Sequence, residues 1–322
     1  MPALNPENDN SVVEQALHDG DLHKALLDHL EAGIYMVDRR RRILYWNRGA
    51  EHISGFLSQE VAGRFCQGDL LMHCDASGRG LCGKGCPLST VLVDGKPREH
   101  QFFLRHRQGH RIPVQVRSRA IFDAAGAIIG AVEVFEPSTV PAPIDRRLLQ
   151  DHGCLDTLAE VANRAYSEFR LKQALEALRA FGIPFGWLAV KLDDVEKLEH
   201  RYGHGLLDAA VKMTARTLDS NLGPQDSAAR WGRAEFRIEV HSCWGVELGD
   251  LTRKLLALTR ASKLDWWGDP VRVTVSMGGV TAEPGDSVES IEARVADVLP
   301  IRTSGVDSEN DFLKLGEERC LP

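Results

Sequence analysis

The run WLAVKLDDVEKLEHRYGHGLLD (187–208) decides how the second half of this chain folds. Its first six residues are apolar apart from Lys191, which is the length and character of a buried strand. Polar residues follow as far as Gly203-His204, and a helix is expected near Gly205–Leu218. Beyond it, SAARWG (227–232) and EFRIEV (235–240) read as strands. A helix near Leu248–Ala261 and a strand at VRVTVSMGGV (271–280) come next. Strand and helix in alternation make an α/β layer pattern. Upstream, an amphipathic helix is expected from Thr157 to Ala180, stopped by Gly182 and Pro184.

The first half reads differently. After a polar start (1–20, expected to be flexible) and a helix around Leu22–Leu30, GIYMVD (33–38) and RILYWN (42–47) are two short strands joined by the basic turn Arg39–Arg41. Short helices fit Arg48–Gly55 and Ser58–Ala62. REHQFFLRHR, HRIPVQVRSRAIFD and AIIGAVEVFE then read as strands separated by turns at Gln108-Gly109 and Ala125-Gly126. Alternation at Val114, Val116, Arg117 and Arg119 fits a half-buried antiparallel sheet. The domains expected are 21–137 and 156–310, with a linker at 138–155 and a tail at 311–322; the linker's EPSTVPAPID (136–145) is Pro-bearing, and RRLLQDHG after it suits a short helix.

At 322 residues the chain is long enough for two cores, and its net charge of −7 argues against a nucleic-acid platform. No apolar run reaches the roughly 20 residues of a membrane span. The acidic, polar start is no secretory signal, so a cytoplasmic protein without membrane insertion is expected. Of seven cysteines, four (Cys66, Cys74, Cys82 and Cys86) fall within 21 residues. Clustering of that kind, in a reducing compartment, suggests metal or redox chemistry more than structural bridges.

Residues 22–137 resemble a PAS sensor domain. Asp38 and Asn47 end the two opening strands, Glu51 and Gly55 mark the short helices, and the last three strands resemble the closing strands of that fold. Residues 156–305 resemble a GGDEF domain, the diguanylate cyclase family. DTLAEVANR (156–164) matches D-x-L-T-G-L-x-N-R at Asp156, Leu158, Asn163 and Arg164. LDDVEKLEHRYGHGLLD (192–208) looks like the first strand–helix unit, RWGRAEF (230–236) sits where R-x-G-G-D/E-E-F belongs, and VTVSMGGV (273–280) looks like V-T-x-S-x-G-V. The resemblance implies an α/β (α+β) protein: an antiparallel PAS sheet with flanking helices, then a central sheet surrounded by helices.

What the resemblance implies for chemistry is a loss. Cyclases of this family join two GTP molecules using divalent ions held by carboxylates and phosphate oxygens. The first metal-binding position falls on Lys191 and the second on Ala234. Arg233 replaces the second glycine of the Gly232–Phe236 hairpin motif, and strand alternation turns Glu235 away from the side that Ala234 faces. A register slip would make Asp193 the ligand but breaks the match at Gly203-His204. The product-inhibition motif R-x-x-D would lie at Gly223–Asp226, where Gly223 takes the place of its arginine. Guanine recognition in the family uses positions that carry Glu199 and Asp208 here. GTP or GDP binding without turnover is thus expected to involve Lys191, Asp193, Glu199, Asp208 and Arg302. Plain solvated charges at Glu199 and Lys191 are the competing reading.

The stretch CQGDLLMHCDASGRGLCGKGCPL (66–88) replaces the middle of a PAS domain. Cys66, His73, Cys74, Cys82 and Cys86 are candidate ligands for zinc or an iron–sulfur cluster; a thiol–disulfide switch and inert buried cysteines are the alternatives. A flavin adduct at Cys66 lacks its surrounding signature, and haem through His73, His106 or His110 has less support. The function expected is a sensor in which a redox, metal or small-molecule cue reaches an inactive cyclase-like domain that binds GTP or a protein partner. A partner face is read around Trp231 and Arg233; the loop pair Trp266-Trp267 is read first as packing on the domain's own surface, with a partner contact as the alternative. The alternative is an active or weak cyclase making cyclic di-GMP. The resemblance also implies a homodimer, with Leu22–Leu30 and 146–180 as interfaces.

Overall fold

The computed structural model describes residues 20–83, 85–138 and 146–299. They fall into two compact units. The first comprises residues up to Met72, Leu81–Phe102 and Val114–Pro137; the second comprises His73–Gly80, Phe103–Pro113 and the chain from Ser138 on.

After helix α1 (Gly20–Asp28), the first unit is organised on a sheet of order β2-β1-β5-β4-β3, made of β1 (Gly33–Asp38), β2 (Ile43–Trp46), β3 (Arg98–Arg105), β4 (Arg111–Phe122) and β5 (Ile128–Pro137). β1 pairs antiparallel with β2 and β5, and β4 with β5. Short helices α2 (Arg48–Ser54), α3 (Ser58–Val61) and α4 (Pro87–Asp94) flank it. Pro87 opens α4 where its missing N–H costs nothing, so the cysteine stretch runs directly into a helix that the sequence reading had left out. Asn47 explains the tight entry to α2. Its Oδ1 accepts from Ile34 N at 2.7 Å and Ala50 N at 2.8 Å, while Nδ2 donates to the carbonyls of Leu27 and Ala32. Gly55 ends α2 at φ 75°, a left-handed cap.

The second unit carries α5 (Arg146–Asp151), β6 (Ala162–Asn163), α6 (Arg164–Phe181), β7 (Phe185–Leu192), α7 (Val195–Tyr202), α8 (His204–Asp219), β8 (Ser227–Gly232), β9 (Glu235–His241), α9 (Gly245–Ala261), β10 (Leu264–Trp266), β11 (Asp269–Val271), β12 (Val275–Thr281) and α10 (Val288–Val298). Its sheet has the order β12-β7-β9-β8-β6, with β6 parallel to β8. Alternate residues of β7 feed two cores. Leu188, Val190 and Leu192 pack with Leu206, Val211, Leu248 and Leu255; Phe185, Trp187 and Ala189 pack with Leu171, Leu175, Ile291 and Val295. Burial on both faces is why this strand reads as an unbroken apolar run.

Two expectations are corrected. The helix expected from Thr157 begins only at Arg164. Asp156 Oδ1 accepts from the N–H groups of Leu158 and Ala159, Glu160 sits at φ 58°, and Asn163 caps the helix by accepting from Tyr166 N. Such local side-chain bonds compete with helix. The strand expected over 271–280 is two pieces: Val271 ends the β10–β11 hairpin, whose turn places Trp267 at φ 51° and Gly268 at φ 92°, and β12 starts at Val275.

Candidate functional site

The site lies where β7 ends beside the β8–β9 hairpin. Lys191 pairs directly with Ser276 on β12 and with Glu235 on β9. Residues opposite one another across a ladder share a face, and Lys191 Nζ lies 3.5 Å from Glu235 Oε1. Ala234 is buried, and its carbonyl accepts from Leu192 N at 2.9 Å. Glu235 therefore does point away from the buried side occupied by Ala234, and it projects onto the face of Lys191.

The hairpin turn consists of Arg233 and Ala234, between Gly232 and Glu235. It is braced from within the sheet. Arg230 donates through Nε to the carbonyl of Gly232 at 3.1 Å and through a terminal nitrogen to the carbonyl of Arg233 at 2.8 Å, and its other nitrogen reaches the Asp156 carboxylate at 3.3 Å. None of these bonds involves the side chains the turn displays.

Arg233 reaches across to α7, where its guanidinium pairs with the Glu199 carboxylate; His204 Nδ1 meets the same oxygen. The Arg233 hydrogen bond, with His204 adding to it, holds the Glu199 carboxyl below its ordinary range. Asp208 lies one turn along α8 from His204 and is exposed. Asp193 is engaged elsewhere, with Oδ1 accepting from Ser276 Oγ at 2.6 Å. Arg302 lies outside the described residues. The structure thus joins Lys191 to Glu235 and Arg233 to Glu199, while Asp193 is held by Ser276, the cross-strand neighbour of Lys191, and Asp208 is exposed on α8.

A divalent ion does not fit this arrangement. An ammonium and a buried methyl group occupy the two ligand positions, and the Glu235 carboxylate on the face of Lys191 is already paired with that ammonium. Among the described residues no group of three or more His, Cys, Asp or Glu is placed to hold a metal.

One residue the sequence reading passed over ties the segment before α6 to α8. Glu160 stands where the matching motif has glycine, and it keeps the left-handed backbone that glycine would adopt without strain. Its carboxylate takes Lys212 at 2.7 Å and Arg216 at 2.8 Å, and the Arg216 hydrogen bond, then that of Lys212, brings it down to about 2. The visible signal was a charged residue at a glycine position.

The cysteines divide between the units. Cys66, Cys82 and Cys86 belong to the first, His73 and Cys74 to the second. Burial, then Glu133 and the neighbouring thiols of Cys86 and Cys82, pushes the Cys66 thiol far up. Cys74 is raised by burial and is tied to Phe103 by two backbone bonds, and burial lowers His73 to about 4. Cys82 and Cys86 are half-buried.

Sheet, hairpin and helix order define a two-domain signalling protein. Residues 154–299 match the family model described as "Diguanylate cyclase, GGDEF domain", and residues 27–140 match that described as "PAS fold". The chain carries a PAS domain followed by a GGDEF domain of the diguanylate cyclase family. It is 23% identical over 252 residues to "Probable diguanylate cyclase DgcE" of Escherichia coli K12, a match covering 78% of this chain and 22% of that one. It is 30% identical over 132 residues to an "Uncharacterized signaling protein" of Caulobacter vibrioides, covering 40% and 16%. A solved "sensory box/GGDEF family protein" from Caulobacter crescentus CB15 is similar at 23% identity and a TM-score of 0.43, covering 45% of this chain and 95% of that one. The matches thus span about a fifth of the length of these curated relatives. Among the described residues no helix is long and apolar enough to cross a membrane.

Proposed function

We propose that this chain is a sensory regulator whose GGDEF domain does not cyclise GTP. The observation that carries this reading is the Lys191–Glu235 pair, an internal ammonium–carboxylate contact where the family places a metal-bound carboxylate. With Ala234 at the second position, nothing remains to neutralise a transferring phosphoryl group through a metal. The domain serves as an output by occupancy: Lys191 offers a cation to phosphates, and Glu199, where a ligand displaces Arg233 from it, offers acceptors to guanine. The altered turn around Arg233 and Trp231 is the face offered to a protein partner. The PAS domain receives the cue. In its cysteine stretch the half-buried Cys82 and Cys86 are the thiols open to redox or metal chemistry, whereas burial keeps Cys66 protonated and inert. We place the protein in the cytoplasm as a homodimer, for which light scattering at micromolar concentration should return twice the chain mass.

The test is the whole 322-residue chain with GTP and magnesium or manganese, followed by chromatography. No cyclic di-GMP is expected. Product that disappears in Glu235→Gln would overturn the reading in favour of a weak cyclase, an alternative that draws on Glu235 facing the first ligand position.

A further inference from the structure

Three strands of the PAS sheet place three polar side chains in one row. Tyr35 on β1 and Ser118 on β4 both stand directly opposite Glu133 on the intervening β5. Tyr35 Oη donates to Glu133 Oε1 at 2.7 Å, and Ser118 Oγ donates to Oε2 at 3.0 Å. All three are buried, with Glu133 only 3% exposed. The Tyr35 ring sits among aromatics, 5.5 Å from Trp46 and 6.2 Å from Phe135. Among the described residues, no cation pairs with this carboxyl.

We propose that the PAS domain responds to protons, with Glu133 as the group that gains and loses them and the Tyr35–Glu133–Ser118 row as the element that changes. Ionised, the carboxylate accepts from both hydroxyls as drawn. Protonated, it becomes a donor, so one of the two hydroxyls must reverse its role or let go. The proton lost goes to solvent water. Because the row crosses β1, β5 and β4, either change bears on both ladders that flank β5.

The surroundings set the direction. Burial raises Glu133 to about 7, while the hydrogen bonds from Tyr35 and Ser118 pull it the other way. Among the described residues, Cys66 and Cys82 act on Tyr35, while Glu133, Cys86, Cys82 and Arg41 act on Cys66. Of the helices packed on β5, α2 brings Glu51, which is engaged by Ser58 N. Helix α4 brings Asp94, which is engaged by Arg98. Neither competes for the row. The proposal is independent of whether the GGDEF domain turns over nucleotide.

The whole 322-residue chain is titrated through the neutral range while the infrared carboxylic C=O band and the tryptophan fluorescence are followed. A transition near pH 7 is expected in both signals. E133Q, which retains every histidine, should abolish it. Y35F, which removes a bond favouring the ionised form, should move the midpoint upward by about half a unit or more. S118A should act in the same direction. If E133Q does not fold, the two hydroxyl variants decide the matter by themselves. No carboxylic band lost near neutrality, a transition that survives E133Q, or midpoints indifferent to Y35F and S118A would each overturn the proposal.

Discussion

Lys191 and Glu235 face each other across the β7–β9 ladder, with the ammonium 3.5 Å from the carboxylate. The side chains are 59% and 37% exposed, so water screens the pair and its contribution to stability is small. Lys191→Met should shift stability by less than about 0.5 kcal/mol by thermal unfolding. Any loss of GTP binding in that variant, read by calorimetry, then reports on the site. A large fall in Tm would mean the pair is structural.

Arg233 competes with any ligand for Glu199. Arg233→Gly frees a carboxylate whose charge-assisted bond it now holds. GTP should bind about tenfold tighter, equivalent to about 1.4 kcal/mol, with no gain in turnover. Unchanged or weaker affinity by titration calorimetry would show that Arg233 serves the nucleotide and does not obstruct it.

Glu160 is depressed to about 2 from an ordinary 4.5 by Arg216 and Lys212. Its folded-state value lies below its unfolded one, so its stabilisation is complete above about pH 4.5 and is lost as pH falls toward about 2. Glu160→Gln should cost about 1–2 kcal/mol near neutrality, with the gap to wild type closing on acidification. Denaturant melts at several pH values measure it; a gap that does not narrow would rule the ion pairs out as its source.

Asn47 satisfies two backbone donors and two acceptors at the start of the PAS fold. Asn47→Ala leaves them wanting in a buried position and should destabilise that domain by about 2–4 kcal/mol. Circular dichroism should resolve an early transition in the variant. A melt superimposing on wild type would contradict the role given to this side chain.

Much of this was legible in residue order. Apart from the two-residue β6, which falls inside the stretch expected to be helical, the strands of both sheets were readable because each is an apolar or alternating run bounded by turn residues, and Lys191, Arg233 and Ala234 stood out against a motif that specifies other chemistry. The start of α6 was not readable: Thr157–Asn163 has helical periodicity, but Asp156 and Asn163 bind backbone N–H groups and Glu160 adopts a left-handed φ, choices settled by partners such as Arg230 and Arg216 far along the chain. The β10–β11 turn was hidden for a related reason, since a tryptophan at positive φ carries no sequence signature. Helix α10 was left out although Ser287 caps it through Ser290 N. The buried row around Glu133 was missed because one acidic residue in AIIGAVEVFE looks like a solvent-facing position until β1 and β4 are laid on either side of it.

The brace beneath the hairpin has a bearing on how such a domain acquires new work. Arg230 grips carbonyl oxygens, groups that every amino acid supplies, and it is anchored in turn by Asp156. The shape of the loop is thereby insured against changes in the letters it carries. The side chains at 233 and 234 can therefore be exchanged with these backbone bonds kept, which separates the shape of the loop from the chemistry it displays.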